Sequence, residues 1–257
     1  MLTFKNTNIV FITLLIILIG CNVVYTISFG LYFLLFFFYS LILFFGCYFI
    51  SADFFIKVIC HGPTDKKQIA ISFDDGPATS FTREILEVLQ RHHIKAAFFC
   101  IGNRIAGNEE LLLHLYNEDH IIGNHSYSHH FWFDLFSTKK VIADLALMDK
   151  VTENIIDVKP KFFRPPYGVM NPNIKRAIIN GGYIPIGWSV RSFDTVINGE
   201  KKLFNKITQS LKPGAIFLFH DTSQTTLNIL PLFIQHVKDN GYEIVRLDKM
   251  LHLKPYA

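Results

Sequence analysis

Residues 68–77, QIAISFDDGP, join an apolar run typical of a buried strand to two adjacent carboxylates, Asp74 and Asp75. Elsewhere in the 257-residue chain, short apolar runs alternate with longer segments of helical period. This alternation predicts a β/α protein, either a parallel barrel or a doubly wound sheet. In both folds, polar residues just beyond the carboxyl ends of the strands are the expected site of chemistry.

Seven apolar runs are predicted to be strands, and six segments between them are predicted to be helices. The strands are 68–73, 96–101, 121–123, 161–163, 183–188, 215–219 and 243–246. The helices are 81–92, 109–118, 138–156, 171–180, 200–211 and 226–240. Pro213-Gly214 and Gly241 follow the last two helices, where a helix is expected to end.

The N-terminal part of the chain has a different character. Residues 6–52 are a run of 47 without Asp, Glu, Lys, Arg or His. As one helix this run would be about 70 Å long, more than twice the hydrocarbon thickness of a bilayer. It breaks at Ser28-Phe29-Gly30, which predicts two membrane spans at about 9–27 and 31–50. A cleaved signal peptide fits less well, because its apolar part is only about 7–15 residues long.

The sequence leaves two properties of this segment open: whether Cys21 is lipidated, and on which face of the membrane the two ends lie. Leu18-Ile19-Gly20-Cys21 resembles a lipoprotein processing site, but the apolar stretch that follows favours an unmodified transmembrane cysteine. Two spans put both ends of the segment on one face, and the flanking Lys5 and Lys57 favour the cytoplasmic face. Since few lysines carry this signal and a large domain can translocate regardless of charge, the opposite orientation also stays open.

Composition excludes several classes of function. Lys5 is the only charged residue before position 53, so residues 53–257 carry 24 of the 25 basic and all 21 acidic side chains. This small, interspersed excess gives no reason to expect nucleic acid as a partner. The four cysteines form no CxxC pair, which excludes a zinc knuckle or a disulfide framework. Nothing in the sequence indicates an obligate protein partner.

Two histidines follow the third predicted strand. His125 and His129 are four residues apart, which on a helical turn would put both imidazoles on one face. Such a pair alone is more often an ordinary surface feature. With Asp75 as third ligand, however, it would form a metal site with an open position, which is the catalytic arrangement for zinc.

Two later segments bring an arginine and a histidine to strand ends. Arg164 precedes Pro165-Pro166-Tyr167, a rigid turn expected to project the guanidinium and to present the Tyr167 N–H. A guanidinium in this position can hold a carboxylate by two hydrogen bonds. His220 follows the sixth predicted strand, where an imidazole can act as an acid in the cleft.

Five motifs in this order resemble those of the polysaccharide deacetylases with a NodB homology domain, carbohydrate esterase family four. They are Ser72 to Pro77, His125 to His129, Arg164 to Tyr167, Trp188 to Asp194 and Leu218 to His220. The resemblance covers about residues 67–250 and implies a distorted (β/α) barrel of that type. The expected organisation is a two-helix membrane segment in residues 1–52, a linker in 53–66, the barrel domain, and a tail in 251–257.

The resemblance also implies a role for eight residues. The metal ligands would be Asp75, His125 and His129, and the cofactor would be one divalent ion, zinc. The catalytic base would be Asp74, oriented by Arg164; the general acid would be His220, tuned by Asp194; and the Tyr167 N–H would help to form the oxyanion hole.

The implied reaction is metal-dependent removal of N-acetyl groups from an acetylated amino-sugar glycan, with release of acetate. The glycan could be peptidoglycan, a chitin-like oligomer or an envelope polysaccharide. Two alternatives stay open: an O-acetyl esterase acting on a glycan such as xylan, and an inactive membrane-anchored carbohydrate-binding protein. The uncharged run predicts membrane attachment. Since the family mostly acts on envelope or external glycans, the resemblance implies that the catalytic domain lies outside the cytoplasm.

The fourth motif departs from the family pattern. Where many members have Asp-x-x-Asp-Trp, this chain keeps Asp194 but has Arg191 and Thr195 in place of the first Asp and the Trp. The Trp usually provides an apolar wall near the acetyl methyl group or the sugar. The departure therefore bears on substrate preference, including N- against O-acetyl, more than on the chemistry.

Overall fold

Eight parallel strands form one curled sheet in the computed structural model, which describes residues 2–78, 81–197 and 199–257. The strands are β1 (Gln68–Asp74), β2 (Ala97–Cys100), β3 (Ile121–Asn124), β4 (Phe162–Phe163), β5 (Ile184–Pro185), β6 (Val190–Arg191), β7 (Ile216–His220) and β8 (Glu243–Ile244). Their order is β5-β4-β3-β2-β1-β7-β6, and β8 pairs with the start of β1. The predicted β/α alternation is confirmed.

Alternation along β1 decides which of its side chains enter the barrel. Ile69, Ile71 and Phe73 pack outward in a cluster with α3 and α8, whereas Ala70 packs inward. Since successive strand residues point to opposite faces, Ser72 and Asp74 point inward with Ala70. The small residue and the two polar ones therefore line the interior, and Asp74 lies at its carboxyl-end mouth.

Nine α-helices are present in the described residues. They are α1 (Phe4–Val24), α2 (Phe29–Tyr48), α3 (Phe81–Arg91), α4 (Glu109–Asn117), α5 (Thr138–Ile156), α6 (Pro172–Gly181), α7 (Glu200–Gln209), α8 (Gln224–Asp239) and α9 (Leu247–Leu251). Each of the six helices predicted after the membrane segment is found, with ends that differ by no more than two residues. Two short elements, α9 and β6, were not expected, because five or two residues are too few to display a period.

The segment expected to be a linker is packed against the barrel. The end strands β5 and β6 do not pair with each other among the described residues. Ile59 forms a bridge with Ile186 next to β5, and His61 forms one with Ala215 next to β7. Residues 53–66 therefore help to cover the gap in the curled sheet.

The two N-terminal helices form an antiparallel hairpin. Phe11 of α1 stacks on Tyr39 of α2 with ring centroids 4.0 Å apart, and the Tyr39 hydroxyl donates to Asn8. Both helices are long and apolar enough to cross a bilayer and are hardly buried by the protein, so they are candidate membrane spans. They begin a few residues before the predicted spans, because Thr3 and Ser28 cap their first turns.

Candidate active site

The first carboxylate of the Asp-Asp pair is held by a buried arginine. Asp74 ends β1, and its Oδ1 accepts a 2.6 Å hydrogen bond from Nη1 of Arg164. The guanidinium is fully buried and also donates to Ser72 and to the carbonyls of Ile186 and Gly187. A buried cation requires such a set of acceptors, and here they fix it in one orientation towards Asp74.

The second carboxylate meets the two histidines. Asp75 Oδ1 lies 3.6 Å from Nε2 of His125 and 3.3 Å from Nε2 of His129. The Nδ1 of His125 lies 2.8 Å from the Arg164 carbonyl. Because a carbonyl can only accept, Nδ1 carries the proton, and Nε2 keeps its lone pair for a ligand when the ring is neutral.

The histidine pair does not lie on a helical turn, in contrast to the sequence prediction. Residues 125–130 contain no helix, and Ser126 and His129 both have positive φ, 67° and 41°. Asn124 Oδ1 accepts from the Ser126 N–H, and Ser126 Oγ accepts from the His129 N–H. These two side-chain bonds fold the segment into a tight bend that brings the imidazoles together.

The spacing of the three ligand atoms fits a metal ion. The candidate oxygen and nitrogen atoms of Asp75, His125 and His129 all lie within 4.8 Å of one another. Two ligands about 2.1 Å from a common zinc at a tetrahedral angle would be about 3.4 Å apart. The 3.6 Å and 3.3 Å separations match that value. We call these three residues the ligand group.

Electrostatics favour the ligating protonation states. Burial would raise the pKa of Asp75, but the adjacent imidazoles of His125 and His129 favour the carboxylate more strongly, so the pKa lies well below its ordinary value. Burial, together with the charge of His125, lowers the pKa of His129 to about 4 despite the opposing effect of Asp75. Near neutral pH the group thus offers a carboxylate and an uncharged imidazole.

On the opposite side of Asp74, β7 supplies a histidine paired with a buried aspartate. Asp74 and His220 are register partners on β1 and β7. His220 Nδ1 lies 2.7 Å from Asp194 Oδ1, and its backbone N–H donates to Asp194 Oδ2 at 2.8 Å. Ser192 and Thr226 also donate to this carboxylate.

The pKa of His220 is raised and that of Asp194 is lowered by their contact. Burial lowers the pKa of His220, but the hydrogen bond and charge of Asp194 raise it more, so the net pKa is raised. Burial raises the pKa of Asp194, but the bonds and charge from His220 lower it more, and the net pKa is lowered. His220 therefore stays protonated to a higher pH than a free histidine, which suits an acid.

The turn after Arg164 lies next to the ligand group. Tyr167 has φ of 60°, and its ring lies edge-on to His129 with centroids 4.8 Å apart. Gly168 follows with φ of 74°, and a Cβ there would lie 2.4 Å from the Trp188 ring. Only glycine fits between this turn and Trp188.

Within the fourth motif, Arg191 occupies an aromatic environment. Its guanidinium carbon lies 5.6 Å from the Trp188 ring centroid and 5.0 Å from that of Phe193. A cation stacked on aromatic faces is held in place by the ring quadrupoles. The residue that departs from the family pattern therefore lies beside the turn that carries Tyr167.

Three residues that support the site had no role in the sequence interpretation. Arg104 donates to the Asp75 carbonyl at 2.6 Å, and Asn124 holds the histidine bend. The Asp221 carboxylate is fully buried against Gly76, where a Cβ would lie 2.0 Å from its Oδ2, and burial raises its pKa to about 7. Asp221 and Asn124 adjoin assigned histidines in sequence, but only folding gives Arg104 its contact.

The chain is similar to polysaccharide deacetylases in both sequence and structure. The family model for polysaccharide deacetylase matches residues 61–185. The peptidoglycan-N-acetylmuramic acid deacetylase PdaA of Bacillus subtilis is 31% identical over 200 residues, which are 75% of this chain and 74% of that protein. The peptidoglycan-N-acetylglucosamine deacetylase PgdA of Listeria monocytogenes is 33% identical over 184 residues, 72% of this chain. That match spans only 39% of the length of the Listeria protein.

A solved structure has the same fold. The Bc1960 peptidoglycan N-acetylglucosamine deacetylase superposes with a TM-score of 0.74 at 28% identity, over 78% of this chain and 95% of that one. The expectation of a distorted (β/α) barrel of the deacetylase type is thereby confirmed.

Proposed function

Because the chain belongs to the polysaccharide deacetylase family, we propose that it hydrolyses N-acetyl groups of an acetylated amino-sugar glycan and releases acetate. The observation that carries this proposal is the convergence of three groups at one end of the barrel. They are the ligand group, the Asp74–Arg164 pair and the His220–Asp194 pair. The relatives named above are peptidoglycan deacetylases, and this supports an envelope glycan of that kind as the substrate.

The proposed cofactor is one zinc ion, held by Asp75, His125 and His129. Two imidazoles and a carboxylate with an open position are a common ligand set of catalytic zinc. When bound, a divalent metal would polarise a carbonyl oxygen and lower the pKa of a bound water to about 7. The Arg164 carbonyl holds His125 in the tautomer that this role requires.

Asp74 is the proposed base, which takes a proton from the attacking water. Its Oδ2 lies 3.9 Å from Nε2 of His125, so the carboxylate is adjacent to the ligand group. Arg164 donates to the other oxygen of Asp74, Oδ1, and keeps the carboxylate in a single orientation. A buried ion pair of this kind positions the base before substrate arrives.

His220 is the proposed acid, and Asp194 is its positioning partner. An amide nitrogen is a poor leaving group until it is protonated, so the breaking C–N bond needs a proton donor. Nδ1 of His220 faces Asp194, which leaves Nε2 to protonate the amine. The Tyr167 N–H is proposed to stabilise the oxyanion, and a donor of this kind typically contributes about 3 kcal/mol.

We propose that α1 and α2 anchor the protein in a membrane, and that residues 67–250 form the catalytic domain. The two apolar helices support attachment to a bilayer. The expectation of an extracytoplasmic domain is supported by relatives whose names refer to peptidoglycan, which lies outside the cytoplasmic membrane.

Acetate release tests the activity. Full-length protein in detergent or nanodiscs is supplied with N-acetylated glucosamine oligomers, peptidoglycan fragments and O-acetylated xylan. We expect acetate from the N-acetylated glycans in preference to xylan. The His125→Ala/His129→Ala variant serves as the inactive control, and equal release by that variant would contradict the proposal.

Metal content tests the ligand group separately. We expect one equivalent of zinc in the purified protein and less than a tenth of it in the His125→Ala/His129→Ala variant, because a single carboxylate holds zinc weakly. A His130→Ala variant is the matched control, since His130 is the neighbouring histidine outside the ligand group. Stoichiometric metal in the double variant would exclude this site.

A further inference from the structure

The hydrophobic hairpin is bonded both to the connecting segment, at Phe54, and to the catalytic domain, at Met170. The Phe4 N–H at the start of α1 donates to the Phe54 carbonyl at 2.9 Å, and the Met170 N–H donates to the Cys47 carbonyl in the last turn of α2 at 3.0 Å. Gly46 packs so closely on the buried Phe54 ring that a Cβ would lie 2.1 Å from it. The domain therefore has no free tether between itself and the hairpin.

These contacts of the hairpin hold the ligand group close to the end of α2. Met170 is three residues from Tyr167, which is at most about 11 Å along the chain. The Tyr167 ring contacts the His129 ring, with centroids 4.8 Å apart. The ligand group thus lies within about 25 Å of the Cys47 carbonyl.

An exposed apolar loop lies beside the ligand group and the end of α2. Phe131, Trp132 and Leu135 are 70%, 56% and 71% exposed, and with Asp134 and Tyr167 they line a groove of about 300 Å³. We call residues 131–135 the apolar loop. It begins two residues after the ligand His129.

The apolar loop is also connected to the hairpin. The Asn171 side chain donates to the Asp134 carbonyl at 2.6 Å, and Asn171 follows Met170, which bonds to α2. Phe133 and Phe136, on either side of the exposed Leu135, are buried in the same cluster as Ile50 and Phe54. The loop therefore lies at the end of the domain from which the hairpin emerges.

The exposed side chains of the apolar loop are of the kind that contacts a lipid bilayer. Phe, Trp and Leu are typical of surfaces that enter the membrane interface, where an aromatic ring lies at the headgroup level. The hairpin, which is linked to the loop through the Cys47–Met170 and Asn171–Asp134 bonds, exposes apolar side chains along both helices. A single apolar surface would then continue from α2 to the rim of the active site.

We propose that the apolar loop lies in the membrane interface and that the enzyme acts on acetylated amino-sugar glycan carried by a membrane lipid. This inference rests on the proposed function and specifies its substrate class. A domain fixed to the bilayer without a tether reaches only sugar presented at the membrane surface. A lipid-linked sugar satisfies this requirement, because its anchor keeps it at that height.

Tryptophan fluorescence tests the membrane contact independently of activity. The chain has two tryptophans, Trp132 in the loop and Trp188 beside Arg164. The full-length protein and its Trp132→Phe variant are placed in bilayers with brominated acyl chains. We expect the wild type to be quenched at least twice as strongly as the variant. Equal quenching would exclude insertion of the loop.

Kinetics on two matched substrates test the substrate class. The protein in nanodiscs is given one N-acetylated oligosaccharide either free in solution or attached to a long-chain lipid in the bilayer. We expect kcat/KM at least tenfold higher for the lipid-attached form. Phe131→Ser/Leu135→Ser should lose at least fivefold on that form and less than twofold on the soluble one.

A control variant and the pattern of losses distinguish a membrane contact of the loop from a sugar-binding surface. Leu113→Ser/Leu232→Ser changes two exposed leucines on α4 and α8 and should leave both substrates unaffected. An equal loss on both substrates would make the loop a sugar-binding surface and overturn the inference, as would no loss on either. If neither substrate releases acetate, the hydrolase function fails and the substrate assignment fails with it, while the quenching result still decides the membrane contact.

Discussion

At the scale of single residues, the site depends on one buried arginine. Arg164 has a large, fully buried side chain that donates to Asp74, Ser72 and two backbone carbonyls. Its own carbonyl sets the tautomer of His125. One residue therefore orients the proposed base with its side chain and a proposed metal ligand with its backbone.

Asp74→Asn is expected to lose at least 100-fold in kcat while keeping its metal. Asn has nearly the same shape but cannot take a proton, and general-base catalysis contributes about 10²–10⁴-fold. Leaving Arg164 without its anion should also cost about 3–5 kcal/mol of stability. Acetate release, metal content and thermal unfolding measure the three effects. Loss of the metal would mean that Asp74 belongs to the ligand group.

Asp194→Asn is expected to move the alkaline limb of kcat/KM to lower pH. Asp194 raises the pKa of His220, so removing its charge lowers the pH at which the proposed acid loses its proton. A pH profile of kcat/KM on an N-acetylated oligosaccharide measures the shift. Ser192→Ala removes one hydrogen bond to Asp194 but keeps the charge, and should move the limb far less. An unmoved limb in Asp194→Asn would reject His220 as the acid.

At the scale of elements, the site lies in the turns that follow the strands. Non-glycine residues with positive φ occur in four of these turns, at Asp75, Ser126, Tyr167 and Phe193. Each such residue costs on the order of 1 kcal/mol or more and persists only where its surroundings enforce it. The strands supply those surroundings, since their register aligns the turns at one edge.

Gly46→Ala in α2 is expected to lower the thermal unfolding temperature by several degrees. The new methyl would overlap the buried Phe54 ring, and such overpacking costs about 1–3 kcal/mol. Gly20→Ala in α1 is the matched control, because no atom lies within 4 Å of its added Cβ. Thermal unfolding of full-length protein in nanodiscs compares the two. Similar behaviour of both variants would contradict close packing between α2 and the connecting segment at Phe54.

At the scale of the whole molecule, hairpin and barrel share one buried cluster. Ile50, Phe54 and Phe55 from the connecting segment pack with Phe163, Met170 and Ile174 of the barrel, and with Leu43 and Cys47 of α2. An interface of this kind fixes the height and orientation of the active site relative to α1 and α2.

Protease applied to spheroplasts is expected to digest the catalytic domain. The proposed substrate lies outside the cytoplasmic membrane, whereas Lys5 and Lys57 alone would favour the cytoplasmic face. An intact cytoplasmic marker protein controls for sealed membranes. Full protection of the domain under these conditions would reverse the orientation. Release of the full-length protein by carbonate washing would contradict the two-span anchor.

The sequence by itself determined the features that depend on neighbouring residues. Apolar periodicity identified most strands and helices, and the uncharged run identified the hairpin. The rule that polar residues at the carboxyl ends of parallel strands meet at one edge predicts that Asp74, Asp75 and His220 lie together. These features could be predicted because period, length and position in a strand are local properties of the chain.

Only the tertiary structure decided the contacts between distant segments. Arg164 reaches Asp74 across 90 positions of sequence, and the His125 and His129 imidazoles meet through a bend where a helical turn was expected. The supposed linker packs on the barrel, and α2 bonds to Met170. These outcomes depend on how the curled sheet brings separate strand ends together, and long-range packing of that kind leaves no periodic signal in the sequence.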